Sequence, residues 1–339
     1  MSTTPDAPLR KRRLPFWRRS ARWLLIGPFV WVVVLAGLIA FGTAPPPPSL
    51  SEISGPMRHL DLSDLPPIRR YAARDGTMLA FRSYGTGDAS AVVLVHGSSG
   101  SSRDMHGLAK ALAVAGATVY AVDERGHGAS GRRGDIDYVD QLDDDLADFV
   151  AAVVRSAHAR AKIALVGFSS GGGFVLRIGS GRYRSLFDRY ILLSPYLRYD
   201  APTTRQANGD GHGREWARPF IPRIVGLMIL DWLGVHWFDG LPVIAFAVAP
   251  GTGQTATYSF RLLSNFGADD DYRADFRRLD RPTRVIVGAN DELLRAGTFL
   301  PLLRPIRPDI DVTILPNLGH MAMITNPMAF AAIRTALNP

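Results

Sequence analysis

The sequence predicts an α/β fold, a mostly parallel central sheet with helices on both faces, carrying an inserted helical cap and preceded by one transmembrane helix. Three observations carry this expectation. From about residue 78 onward, short apolar, β-branched runs alternate with helical patterns, the signature of strand–helix–strand units. Runs such as Val92-Val93-Leu94-Val95 show no polar alternation, as expected of central strands buried on both sides. Residues 23–42 read WLLIGPFVWVVVLAGLIAFG, 20 residues without a charge, enough at about 1.5 Å rise per residue to cross a hydrocarbon core about 30 Å thick.

Residues 1–22 hold seven Arg/Lys (Arg10, Lys11, Arg12, Arg13, Arg18, Arg19, Arg22) against one acid, Asp6. Basic flanks stay on the cytoplasmic side, so the segment reads as a cytoplasmic tail and 23–42 as a signal anchor. The chain is then single-pass, with its N-terminus cytoplasmic and the domain after the anchor on the extracytoplasmic (periplasmic or extracellular) side. Cleavage is the rival reading. A removable signal has a shorter apolar run and a small-residue site; Gly42-Thr43-Ala44 offers such a site, but Pro45 directly after it is unfavourable. The paired arginines resemble a twin-arginine export signal, which the following residues fit poorly. Residues 43–59 form a Pro-rich linker, with four prolines at 45–48 favouring an extended spacer. The globular domain is expected over 60–339.

The basic tail accounts for a net six of the formal +8. The rest is nearly neutral, so no phosphate-binding face and no nucleic-acid partner are expected. There is no cysteine, which excludes disulfides, thiolate metal sites and a cysteine nucleophile.

Within the domain, strands are expected over 78–84, 91–96, 118–123, 163–168, 190–194, 284–287 and 312–315, and helices over 105–115, 139–155, 171–179, 297–303 and 327–337. Residues 195–280 break the rhythm. A polar, Gly-containing stretch gives way to a region with Trp216, Phe220, Trp232, Trp237, Phe238 and Phe246, interrupted by Asp231, His236 and Asp239. These charges argue against a second membrane span, and a cap over a pocket is the better account. In the acidic run 140–148, Leu142, Leu146, Phe149, Val150 and Val153 fall at helical spacing, so Asp143, Asp144 and Asp145 are expected on a solvated helix face.

The chemistry-bearing segment is GFSSG at 167–171, between the strand IALVGF and a helix-forming run. That context gives G-x-S-x-G its meaning: a sharp strand-to-helix turn exposes the serine hydroxyl and needs small neighbours. Ser169 is the candidate nucleophile. A serine hydroxyl needs an adjacent base, itself oriented by a third group, and after this motif the acid precedes the histidine. Asp291 follows the run RVIVG in the turn ANDE, and His320 sits in NLGHM before the final helix. Glu292, Asp309 and Asp311 compete with Asp291, but the last two precede a strand and fall at the opposite sheet edge. Backbone N–H donors for an oxyanion are expected from Ser170, next to the nucleophile, and from Ser98 in the HGSSG loop at 96–100. DERGHGASG at 123–131 reads as a tight loop organised by Asp123 and Arg125, with His127 structural.

HGSSG, DERGHGASG, GFSSGGG, the Asp291 turn and the His320 loop together resemble the monoacylglycerol-lipase-like and serine-aminopeptidase-like branch of the α/β hydrolases, over about residues 68–337. The resemblance implies, in that order, an oxyanion loop, a structural loop, the nucleophile, the acid and the base. Phe168 and Ser170 depart from the His and Met common around that family's nucleophile, and the cap matches no family pattern, so substrate identity does not carry over. The expectation is a serine esterase acting on a lipid or other acyl ester through an acyl-serine intermediate, without metal or organic cofactor. Two alternatives stand beside it: an aminopeptidase or amidase using the same triad, and a non-catalytic envelope protein that binds ligand on a hydrolase scaffold. Oligomeric state has no signature in the sequence.

Overall fold

The computed structural model describes residues 16–87, 90–206, 215–249 and 251–338, with the backbone alone for 16–26 and for 51, 52 and 54. Two helices, α1 (Phe16–Phe41) and α2 (Ser51–Arg58), precede the strands β1 (Arg69–Ala72), β2 (Met78–Tyr84) and β3 (Ser90–Val95). Then follow α3 (His106–Val114), β4 (Thr118–Val122), α4 (Gln141–Phe149), a π-helical turn at Val150–Val154, α5 (Arg155–Ala157), β5 (Lys162–Phe168), α6 (Ser170–Ser180) and β6 (Arg189–Leu193). The insertion holds β7 (Ala217–Pro219), α7 (Ile221–Trp232), β8 (Pro242–Phe246), β9 (Thr257–Ser259), α8 (Phe260–Asn265) and α9 (Tyr272–Arg278). The chain closes with β10 (Thr283–Gly288), α10 (Phe299–Leu303), β11 (Asp311–Leu315), α11 (Ala322–Thr325) and α12 (Pro327–Leu337).

Eight strands form one sheet in the order β1-β2-β4-β3-β5-β6-β10-β11. The pairings β1–β2 and β2–β4 are antiparallel and the other five parallel. The unalternating runs are explained by cores on both faces: Val93, Val95 and Leu165 point into one, Val92, Leu94 and Val166 into the other. The parallel strands therefore end at a common edge, where β3, β5, β10 and β11 deliver their loops. Strand β1, with the sequence RRYA and three of its four residues exposed, lacked the apolar pattern that marks the other strands and was not expected.

Two expectations are corrected. The cap is not simply helical: β7, β8 and β9 form an antiparallel sheet of their own, and β7 (ARP) and β9 (TYS) are too short to show a strand pattern in the sequence. Nor is the acidic run solvated. Asp143, Asp144 and Asp145 are buried and meet basic side chains brought from elsewhere: Arg177 at Asp143, Arg74 and Arg182 at Asp144, and Arg125 at Asp145. Buried carboxylates need such partners, and their donors lie tens of residues away.

Among the described residues no helix is long and apolar enough to cross a membrane. The expected span 23–42 begins within residues of which only the backbone is described, and tail residues 1–15 lie outside the described residues. Where side chains are described, the end of α1 packs on cap helix α7. Arg223 donates to the carbonyls of Ile39 (2.7 Å) and Ala40 (3.3 Å), partners that the last turn of a helix otherwise lacks. Gly226 lets Ile39 approach, since a Cβ there would lie 2.7 Å from its side chain. The linker 43–59 contains α2, whose Ile53 is buried.

Candidate active site

The turn from β5 into α6 places Ser169 at φ 56°, ψ −120°, a region a non-glycine residue occupies only when its surroundings enforce it. Glycine is what permits the turn. A Cβ on Gly167 would lie 2.1 Å from the Gly171 carbonyl oxygen, and one on Gly171 2.2 Å from that of His96. The Ser170 N–H opens α6, where a backbone donor has no intrahelical acceptor and the helix dipole favours negative charge. Ser98 enters from the loop after β3, and its hydroxyl bonds that of Ser170.

His320 arrives from the β11–α11 loop. Its Nε2 lies 3.0 Å from Ser169 Oγ and its Nδ1 2.8 Å from Asp291 Oδ2. A carboxylate can only accept, so Nδ1 carries the ring proton and Nε2 accepts from the serine hydroxyl. Asp291 follows β10 and is 1% exposed; its Oδ1 accepts from the N–H groups of Leu293 (2.9 Å) and Leu294 (2.8 Å). Burial alone would raise this carboxyl, but the His320 ring and the hydrogen bonds outweigh it and hold the group below the usual aspartate range.

The structure thus brings Ser169, His320 and Asp291 into one hydrogen-bonded chain, with Ser98 and Ser170 beside it. Asp309 and Asp311 lie elsewhere, paired with Arg307 and Arg284. Glu292, a competitor for the acid's role, instead accepts the backbone N–H of His320 at 2.6 Å. Gly319 makes room for it, since a Cβ there would lie 2.4 Å from Glu292 Oε1.

In the loop after β4, Asp123 accepts the N–H groups of Ser102 (2.7 Å) and Ala129 (2.8 Å), and Arg125 forks onto Asp145 at 2.7 and 2.8 Å. His127 is buried and bonded to Tyr258 and to the Arg125 carbonyl rather than to Ser169. Tyr258 and Glu292 are supporting residues that sequence reasoning missed. Glu292 carried a local signal, its place beside Asp291; Tyr258 carried none, because the cap has no recognisable pattern.

Above Ser169 opens a pocket whose apolar wall includes Ile53, Phe168, Trp216, Met321 and Ile324. Its polar residues include Gln254 and Asp104; burial pushes the Asp104 carboxyl up to about 6.

A strained serine at a strand-to-helix turn, facing a histidine at the C-terminal edge of a parallel sheet, belongs to serine hydrolases, and comparison with known proteins narrows the class. The model of the family described as serine aminopeptidase, S33, matches residues 88–229. A monoacylglycerol lipase from Mycolicibacterium smegmatis is 32% identical over 234 residues, covering 68% of this chain and 80% of that protein. Among solved structures, a soluble variant of the Saccharomyces cerevisiae monoglyceride lipase superposes with a TM-score of 0.63 at 15% identity, covering 82% of this chain and 95% of that one. A membrane phospholipase A gives 0.55 at 16% identity, covering 94% of this chain and 98% of that one. At these identities the structural likenesses show the fold alone. The chain is a serine hydrolase of the lipase and esterase type. It belongs to the α/β-hydrolase superfamily, in its monoacylglycerol-lipase-like branch.

Proposed function

We propose that the protein hydrolyses a carboxylic ester of a lipid or similar acyl compound, with Ser169 as nucleophile, His320 as base and Asp291 as orienting acid. The observation that carries this reading is the unbroken chain Ser169 Oγ to His320 Nε2 (3.0 Å) and His320 Nδ1 to Asp291 Oδ2 (2.8 Å) at the floor of an apolar pocket. Ser169 Oγ attacks the ester carbonyl carbon and its proton passes to His320 Nε2. The carbonyl oxygen, now negative, receives the Ser98 and Ser170 N–H groups, each such donor being worth about 2.7–4 kcal/mol in a serine protease. Collapse breaks the bond to the alcohol oxygen, which takes the proton from His320. Water, deprotonated by the same ring, then attacks the acyl-serine carbonyl; the bond to Ser169 Oγ breaks, Oγ takes the proton back from His320, and the acid leaves.

The lipid reading draws support from the apolar pocket wall and from the relative that is a monoacylglycerol lipase. Membrane anchoring through residues 23–42, with the catalytic domain on the extracytoplasmic side, is part of the proposal. In support, α1 exposes Phe29 and Trp31, and α7 beside it exposes Val225, Met228 and Trp232, while Trp237 is 88% exposed. Apolar surface so concentrated suits lipid better than water, and tryptophan favours the membrane interface. A second reading, amidase or aminopeptidase action with the same triad, draws on the carboxyl of Asp104 in the pocket, which would receive a substrate amine. Parallel assays on monoacylglycerols and amino-acid amides separate the two. A fluorophosphonate probe tests the nucleophile: the wild type is labelled and Ser169→Ala is not, whereas equal labelling of both overturns the reading. A wild type that binds ester but neither labels nor turns over would be a binding scaffold.

A further inference from the structure

The cap reaches into the support of the oxyanion loop. Tyr258 on β9 is 2% exposed, and its Oη lies 2.6 Å from the Ser99 backbone nitrogen and 2.6 Å from His127 Nε2. The direction of each bond follows from chemistry. The Ser99 N–H can only donate. His127 Nδ1 faces the Arg125 carbonyl oxygen at 3.3 Å, which can only accept, so Nδ1 holds the proton of the neutral ring and Nε2 accepts. Burial, with His96 adjacent, holds His127 well below the ordinary imidazole range, so the neutral ring is the resident form. Tyr258 therefore gives its O–H to His127 and takes the Ser99 N–H. The cap holds the other side of Ser99 too, because the Thr255 N–H donates to the Ser99 carbonyl at 3.0 Å.

Ser99 requires holding. Its φ is 64°, a left-handed conformation that costs a non-glycine residue free energy. Its own hydroxyl is buried and makes no well-formed hydrogen bond among the described residues, the Tyr258 hydroxyl being close by. It is the third residue of a four-residue turn closed by the Gly100 N–H on the Gly97 carbonyl at 3.1 Å, where a positive φ marks the type II form. A serine there favours the type I form, in which the Ser98–Ser99 peptide is rotated by about 180°.

We propose that Tyr258 is a positioning residue for the reaction: from the cap it locks Ser99 in the left-handed conformation and so fixes the loop that presents the Ser98 N–H to the developing oxyanion. The inference rests on the acyl-serine reading above. It makes the cap part of the transition-state machinery as well as the roof of the pocket.

The test is Tyr258→Phe in the full-length protein. kcat should fall about tenfold, a fraction of the effect of deleting a donor outright, while KM stays within about twofold. Affinity for a trifluoromethyl ketone, whose tetrahedral oxygen occupies the oxyanion position, should fall by the same factor as kcat. Adding Ser99→Gly, which adopts the left-handed turn without strain, should restore most of the lost kcat. A role confined to packing predicts neither the parallel loss nor the rescue. Unchanged kcat and unchanged ketone affinity in folded Tyr258→Phe would overturn the proposal. Should that variant not fold, His127→Gln, which keeps an acceptor for the phenol, must lose less kcat than His127→Leu; the reverse order overturns it. The wild type's own turnover and labelling test the triad, so failure of that reading is distinguishable from failure of this one.

Discussion

Asp291→Asn should abolish most activity by misplacing one proton. Both carboxylate oxygens are committed: Oδ1 accepts from the Leu293 and Leu294 amides at 2.9 and 2.8 Å, and Oδ2 faces His320 Nδ1 at 2.8 Å. An asparagine must turn its carbonyl oxygen to the two amides, because an NH₂ group there would face two donors in a site that is 1% exposed. Each donor left buried and unpaired costs about 1–3 kcal/mol, so the flipped orientation does not compete. The NH₂ then points at His320 Nδ1 and can only donate. The ring proton must move to Nε2, the nitrogen that should accept from Ser169. Heavy-atom geometry survives, but the base does not. By analogy with the same exchange in a serine protease, kcat should fall by about 10³–10⁴, or about 4–5.5 kcal/mol of barrier. Steady-state hydrolysis of a short-chain 4-nitrophenyl ester reads the loss, with a thermal melt to show that the variant is folded. A folded variant that keeps more than about a tenth of wild-type kcat would refute the tautomer argument.

Glu292→Ala removes the acceptor for the His320 N–H and should lower kcat about tenfold with KM little changed, whereas Glu292→Gln, which keeps an oxygen there, should lose less; paired kinetics decide. Asp104 titrates at about 6 when folded against an unfolded value near 3.9. Between these values the native state binds the extra proton, so the wild type loses stability as pH rises through that window. Asp104→Asn should therefore gain stability over wild type by about 1–3 kcal/mol at pH 8 and by little at pH 4, read from urea unfolding at both pH values; a gain that shrinks with rising pH contradicts the assignment. If residues 23–42 span the bilayer, the full chain stays in the membrane pellet after alkaline carbonate extraction; its appearance in the supernatant would count against the anchor.

The sheet and the turn that carries Ser169, the candidate nucleophile, were legible because their constraints are local. A central strand must be apolar throughout, and the turn at Ser169 needs Gly167 and Gly171 within a few residues of it. The acidic run at 143–145 was misread because helical spacing places those carboxylates on a polar face but says nothing of Arg74, Arg125 and Arg177, which fold onto them from other elements. The distinction between Asp291 and Glu292 was half visible: the acid could be chosen, but not Glu292's grip on the His320 backbone, which depends on two loops meeting. The cap was least legible. Its strands are short, and Tyr258 matters through contacts with Ser99 and His127, 159 and 131 residues distant in sequence.

The most direct test of the central claim is rapid-quench hydrolysis of a 4-nitrophenyl acyl ester, with peptide mass mapping of the quenched protein. The account predicts a burst approaching one equivalent of 4-nitrophenol per enzyme and an acyl group on the peptide bearing Ser169, both absent from Ser169→Ala. An acyl group on any other residue, or a burst that persists in Ser169→Ala, would contradict it.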